Sequence, residues 1–172
     1  MFSRIADTTS IILLILEQKV MEQDNEAKMR VLNADSIKEL WSKTYNTDGK
    51  PDWSHILPFY DKDIYFRDSI QEIRGLEEFT AMTKRLTDRS KKLSMNIVRT
   101  AQQNEDIFIE WEMTITFRKN PNSVIYGSSR VTLNEGGKII AQRDYYDLWG
   151  DIFDNIPRFR SAYRRFMKRK FG

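Results

Sequence analysis

Between Asp106 and Phe117 the sequence alternates without interruption. Ile107, Ile109, Trp111, Met113, Ile115 and Phe117 take every second place, and Phe108, Glu110, Glu112, Thr114 and Thr116 fill the places between them. Successive side chains of a strand point to opposite faces, so this run is a long strand with one apolar and one mixed face. Such a strand needs a core against its apolar face and partners along its edges. The neighbouring segments supply both. Leu93, Met95 and Ile97 alternate with polar residues just before it. Val124 to Leu133 follow a turn at Asn120-Pro121-Asn122, and Lys138 to Leu148 follow the tight connection Asn134-Glu135-Gly136-Gly137. Strands in succession with short turns between them make an antiparallel meander.

Upstream the period lengthens. Asp35 to Tyr45 reads as a helix capped by Asp35, with Ile37, Leu40, Trp41 and Tyr45 at helical spacing. Asn46-Thr47-Asp48-Gly49-Lys50-Pro51 breaks it. A second helix is expected from Asp52 to Tyr60, carrying Trp53, Ile56, Leu57 and Tyr60 on one face. His55 falls on the other side and reads as a surface histidine. Asp63 to Asp68 reads as a strand. Gly75 marks a turn where freedom in φ is useful. Leu76 to Asp88 reads as a third helix, with Phe79, Met82, Thr83 and Leu86 on its buried face. Helices first and an antiparallel run after them predict an α+β fold, one curved antiparallel sheet wrapping the N-terminal helices. The 172 residues then divide into an extension at 1–33, a domain at 34–150 and a basic C-terminal helix at 151–172.

Composition narrows the chemistry. The chain has no cysteine and one histidine, which excludes disulfides, thiolate catalysis, thiolate metal sites and multi-histidine metal sites. No metal and no cofactor is expected, and the composition suits a reducing, cytoplasmic setting. The net charge of +3 is unevenly placed. From Pro157 onward there are seven basic residues and no acid; removing them from the total of 28 leaves 21 against 25 acidic residues, a body of −4. A basic tail on an acidic body argues against nucleic acid as a partner. Ile156, Phe159, Tyr163, Phe166 and Met167 recur at helical spacing in that tail, so it reads as an amphipathic helix. It either packs its aromatics on the domain or on a partner subunit, or lies at the periphery of an anionic membrane surface. Near the N-terminus, Ile11 to Leu16 is an apolar run of six residues, far short of the roughly 20 that span a bilayer. It reads as a docking helix, or as a segment that precedes a true start at Met21 or Met29.

The order helix, helix, strand, helix, meander resembles the nuclear transport factor 2-like superfamily, in particular its SnoaL-like polyketide-cyclase branch. Three stretches carry the resemblance: Tyr65-Phe66-Arg67-Asp68 followed by Arg74-Gly75-Leu76-Glu77-Glu78-Phe79; Glu110-Trp111-Glu112-Met113-Thr114; and Gly137-Lys138-Ile139-Ile140 leading to Arg143-Asp144-Tyr145-Tyr146-Asp147. It covers roughly residues 34 to 150. It implies a sheet curled into a cone around an apolar pocket, in a family that holds isomerases, cyclases, epoxide-hydrolase-like enzymes, dehydratases and proteins that only bind. A homodimer through the outer face of the sheet is expected.

By this resemblance Asp68 matches the general base of ketosteroid isomerase. Independently, a carboxylate at a strand end flanked by Phe66 and Ile70 would be desolvated and a better proton acceptor. The alternative is that Asp68 ties down the loop to Gly75 through backbone N–H groups. Asp144 matches an acid of the epoxide-hydrolase-like branch. Period two puts Ile140, Gln142, Asp144 and Tyr146 on one face, so Asp144 enters the cone with Tyr146 and Gln142 or else pairs with an arginine in the sheet. Glu110 and Glu112 belong on the outer face, paired with Arg143 or Arg130 across strands. Two constellations are incomplete. The isomerase tyrosine of the first helix is replaced by Trp41, with Tyr45 one turn on, and the arginine of the epoxide-hydrolase pattern is replaced by Glu110. A general acid–base pocket survives both departures. In it Asp68, Asp144 and Tyr146 are the candidate catalytic residues. Trp41, Tyr45, Trp53, Tyr60, Phe66, Trp111 and Gln142 are the candidate lining for a small apolar ligand, the aromatics among them otherwise being plain core. Two functions stand side by side: an isomerase, cyclase or hydratase acting on an apolar carbonyl compound, or a non-catalytic binding or interaction module. A peripheral membrane role through the termini is the third.

Overall fold

The computed structural model describes Lys19 and residues 32–117, 123–152, 156 and 158–172. The chain divides into two units, Met1–Val31 and Leu32–Gly172, and every element below belongs to the second. The readings of the apolar run at Ile11 to Leu16, of Met21 and Met29 and of the turn at Asn120 to Asn122 lie outside the described residues. Among the described residues no helix is long and apolar enough to cross a membrane.

Helix α1 (Ala34–Tyr45) is capped by Asn33, two residues before the expected Asp35. The Asn33 Oδ1 accepts from the backbone N–H groups of Asp35 and Ser36 at 3.0 and 2.9 Å, and Ser36 Oγ accepts back from the Asn33 N–H at 2.9 Å. Asp35 instead sits in the first turn, beside the positive end of the helix. The expected second helix is absent. Trp53–His55 and Leu57–Phe59 form two short 3₁₀ turns, and the chain is extended from Tyr60. Pro58 explains the break: it has no N–H to give the Ser54 carbonyl four residues back, and its ring crowds that carbonyl, so no continuous α-helix runs through. Ile56 and Tyr60 are nonetheless buried, as their apolar character demands.

Six strands form one curved, unclosed sheet: β1 (Tyr60–Arg67), β2 (Glu72–Arg74), β3 (Ser90–Gln103), β4 (Asp106–Phe117), β5 (Ser123–Leu133) and β6 (Ile139–Tyr146). Their spatial order is β2-β1-β6-β5-β4-β3. The meander β3 to β6 is antiparallel, and β6 closes back on β1 in parallel, pairing Phe66 with Gln142 and Arg67 with Arg143. Helix α2 (Leu76–Arg89) follows Gly75, whose φ of +88° is the backbone region that favours glycine. Phe79 packs its ring 4.6 Å from Tyr60 and 5.4 Å from Phe66, tying α2 to β1.

The alternation in β4 works as the sequence demands. Ile107, Ile109, Trp111, Met113 and Ile115 are buried, and Phe108, Glu110 and Glu112 are exposed. The outward glutamates have partners other than the expected Arg130 and Arg143. Glu110 meets Arg99 Nε at 2.6 Å and Glu112 faces Asn96 at 3.4 Å, because β3 is the strand opposite them there. One register irregularity matters for the site. Thr132 pairs with Ala141 but Leu133 pairs with Ile139, leaving Ile140 as an extra residue. Ile139 therefore takes the buried face, and Ile140, expected beside Gln142, is 38% exposed.

Beyond β6 a short helical turn, Leu148–Ile152, leads to helix α3 (Phe159–Phe171). Trp149 stacks on Phe159 and Tyr163 with ring centroids 5.8 and 5.5 Å away, so the first turn of the tail is held by aromatic contact. Further along, Phe166 and Phe171 are exposed.

Candidate functional site

The inner sheet face and helices α1 and α2 enclose a cavity of about 450 Å³. The strand register brings its polar groups together. Gln142, Asp144 and Tyr146 occupy successive inward positions of β6, past the irregularity at Ile140. Ser129 of β5 pairs with Asp144, and Gly127 of β5 pairs with both Tyr146 and Trp111. Gly127 is required there. A Cβ on it would lie 2.4 Å from the Trp111 ring and 2.8 Å from the Tyr145 carbonyl oxygen. Without one, the indole lies across β5 and donates its N–H to Ser129 Oγ at 2.9 Å.

Two relays then converge on one carboxylate oxygen. An indole N–H only donates, so Ser129 accepts from Trp111 and donates to Asp144 Oδ1, at 2.6 Å. On the other side the Tyr60 hydroxyl donates to Gln142 Oε1 at 2.5 Å, and Gln142 Nε2 donates to the same Asp144 Oδ1 at 2.9 Å. Asp144 Oδ2 has no hydrogen-bond or ion-pair partner among the described residues, and Asp144 lines the cavity. The expected alternative, an arginine partner in the sheet, is not what Asp144 finds. Arg143 points away and lies over the Tyr145 ring, 5.0 Å from its centroid. Desolvation by the surrounding side chains raises the Asp144 pKa to about 6. The hydrogen bonds from Ser129 and Gln142 pull it down, and the negative charge of Asp68 pushes it up again.

Asp68 sits just past the end of β1. Its Oδ1 accepts the N–H groups of Ile70 and Gln71, each at 2.8 Å, closing the turn that leads into β2. Its Oδ2 accepts the Tyr146 hydroxyl at 3.3 Å on the cavity side. Burial, followed by the nearby Asp68 charge, pushes the Tyr146 phenol well above its ordinary pKa, so it stays protonated and donates.

Of the expected lining, Trp41, Tyr45, Trp53, Phe66, Trp111 and Gln142 border the cavity together with Asp68, Asp144 and Tyr146. Tyr60 does not. It lies behind Gln142, its ring tilted against Phe79, and reaches the site only through its hydroxyl. Trp53 is fixed by a hydrogen bond from its Nε1 to Thr87 Oγ1 at 3.0 Å and by the edge of Tyr45, 5.2 Å away. Sequence reasoning missed Ser129, Gly127, Arg85 and Arg89. A signal existed for the first two: small residues interrupt the apolar inward positions between Ile125 and Val131. The arginines extend the stripe of Met82 and Leu86 at helical spacing. Among the described residues no group of three or more His, Asp or Glu is placed to hold a metal ion.

No curated protein sequence matches this chain significantly. Solved structures do match in fold. An epoxide hydrolase of M. tuberculosis, described as LEH-like, superposes with a TM-score of 0.57 at 16% identity, covering 75% of this chain and 92% of its own. A protein of ketosteroid isomerase-like fold from Catenulispora acidiphila, solved with trimethylamine, gives 0.61 at 13% identity over 72% and 94%. A protein of Shewanella denitrificans, named for SnoaL-like polyketide cyclases, gives 0.53 at 15% identity over 60% and 84%. At such identities these likenesses speak for fold alone. The sequence itself goes further: residues 39–142 match the profile of the SnoaL-like domain, and the chain belongs to that family.

Proposed function

We propose that the cavity is a small-molecule site for acid–base chemistry on an apolar carbonyl compound, of the isomerisation, aldol-type cyclisation or hydration class. One observation carries this reading. Asp144 is a desolvated carboxylate on the cavity wall whose Oδ1 takes hydrogen bonds from two neutral donors, with none to its Oδ2 among the described residues. A pKa near 6 suits a group that both takes and returns a proton around neutrality. The sequence reading gave the base role to Asp68. Both oxygens of Asp68 are engaged, which favours Asp144 Oδ2 as the proton carrier; Tyr146 turns its single hydroxyl proton from Asp68 to the substrate oxygen when substrate enters. In the simplest step, Asp144 removes a proton from the carbon next to the carbonyl. The electron pair moves into the enolate, whose oxygen is held by the Tyr146 hydroxyl, and the proton returns at the same or another carbon.

The test is exchange of α-protons of apolar ketones in deuterated buffer, followed by NMR. Asp144→Asn should slow exchange by at least about 10²-fold, and the wild-type rate should rise with pH through the Asp144 titration. A second reading, a binding module without chemistry, draws support from the fully bonded Asp68. It prevails if ketones bind and Asp144→Asn leaves exchange unchanged. A second copy of the chain is the proposed partner, docked on the exposed outer face of the sheet around Phe108, Tyr126 and Tyr145; sedimentation equilibrium tests it.

A further inference from the structure

We infer that the site selects an anionic amphiphile: an apolar compound ending in a carboxylate or similar oxyanion, held at the cavity rim by Arg85 and Arg89. The inference rests on the small-molecule reading above and specifies its substrate class.

Met82, Arg85, Leu86 and Arg89 stand at spacings of three and four, so they share one face of α2, and all four line the cavity. Met82 and Leu86 are half-buried, as apolar residues on a packed face should be. Arg85 and Arg89 are exposed at its rim and, among the described residues, make no hydrogen bond or ion pair. The acid on this part of the helix is already taken: Asp88 meets Lys84 at 2.9 Å and Lys50 at 3.6 Å. A plain account exists for one of the two, since a cation in the last helical turn complements the helix dipole. It does not explain why both guanidinium groups follow the cavity stripe.

Charge is divided across the cavity. Its acids, Asp68 and Asp144, stand on the sheet side, and its cations, Arg85 and Arg89, on the helix side. An oxyanion is repelled from the first pair and attracted to the second, so the ligand enters in one orientation. Its neutral reacting end reaches Asp144 and Tyr146, and its body lies among Trp41, Trp53 and Trp111. Two guanidinium groups one helical turn apart suit a carboxylate better than two ammonium groups, because each offers a planar fork of donors.

The test compares two probes of the same shape, 2-naphthylacetate and 2-naphthylacetamide, titrated into the full chain at pH 7 and low salt with tryptophan fluorescence as the readout. The carboxylate should bind about tenfold more tightly than the amide, as expected for charge-assisted hydrogen bonds at a partly solvated rim. In Arg85→Gln/Arg89→Gln that preference should vanish while amide affinity stays within about twofold, and Arg85→Lys/Arg89→Lys should keep only part of it, since an ammonium supplies the charge without the planar fork. Because both arginines are exposed, the variants should unfold at the wild-type midpoint, and that is measured alongside. Equal binding of the two probes to wild type, or a preference that survives the double glutamine variant, overturns the inference and leaves the small-molecule reading intact. Failure of both probes to bind overturns both.

Discussion

Asp144 is a residue whose ionisation, on the way to neutral pH, costs the fold stability. Its pKa is raised from 3.8 to about 6, so the folded chain holds this proton more tightly than the unfolded chain does. The contribution to stability is therefore complete below pH 3.8 and is lost as pH rises through 6, by up to about 3 kcal/mol at 1.36 kcal/mol per unit. Asparagine keeps an oxygen for Ser129 and Gln142 and carries no charge. Asp144→Asn should consequently raise unfolding free energy at pH 8 by about 1–2 kcal/mol and have little effect at pH 4. Urea titrations at the two pH values check this, and the difference between the proteins removes the opposing slopes of Glu39, Asp52 and Asp88, whose pKa values are lowered. A loss of stability at pH 8 would mean that the charge itself holds the network together. Gly127 makes the reverse point, that a missing group can be structural. Gly127→Ala places a methyl within 2.4 Å of the Trp111 ring and against the backbone oxygen of Tyr145, and only the ring can yield. The expected cost is about 1–3 kcal/mol, with a changed near-ultraviolet dichroism as the indole leaves Ser129.

Among the elements, α1 separates two readings of one sequence. Asp35 has the right chemistry for a cap, but Asn33 has the position, because Ser36 stands three residues after it and returns the hydrogen bond. Asn33→Ala should cost about 1 kcal/mol in thermal or urea unfolding and Asp35→Ala less, since Asp35 offers only its charge to the first turn. Much of the fold was legible because it rests on period. The inward residues of β4, the helical faces of α1 and α2 and the turn at Gly75 all follow from alternation or spacing. What was hidden depends on pairing between distant segments. Nothing local in Tyr60 to Arg67 says that it lies parallel to β6, or that Glu72–Arg74 adds an edge strand. The extra residue at Ile140 is likewise a matter of register between β5 and β6, and it resets which neighbours join Gln142. The site divides in the same way. Asp68, Asp144 and Tyr146 stand out as polar groups beside apolar runs, whereas Ser129 becomes a donor to Asp144 only once two strands are aligned.

At the scale of the whole molecule, the outer sheet face gathers apolar side chains that stay exposed among the described residues. Phe108, Val124, Tyr126, Ile140 and Tyr145 are all between 38% and 58% exposed, on three adjoining strands. Apolar side chains gathered on one face mark an interaction surface more often than scattered ones do. A second copy presents the same surface, so a two-fold arrangement buries both patches at once, and about 800 Å² from each partner makes a stable interface. Arg130 and Arg143 stand opposite one another across β5 and β6, with Arg143 Nε buried and unbonded among the described residues. An acidic or carbonyl group arriving from a partner would relieve that pairing. The expected outcome at equilibrium in the ultracentrifuge is twice the chain mass of 20.5 kDa. Tyr126→Glu, which adds charge at the most exposed of these side chains, should shift the population to single chains. The cavity opens on the other face of the sheet, so probe binding by this variant should stay within about twofold of wild type if the dimer only buries surface. Joint loss of dimer and binding would mean instead that the partner holds the curvature of the sheet on which Asp144 and Tyr146 stand. A wild-type protein that sediments as single chains would leave the patch to another kind of partner.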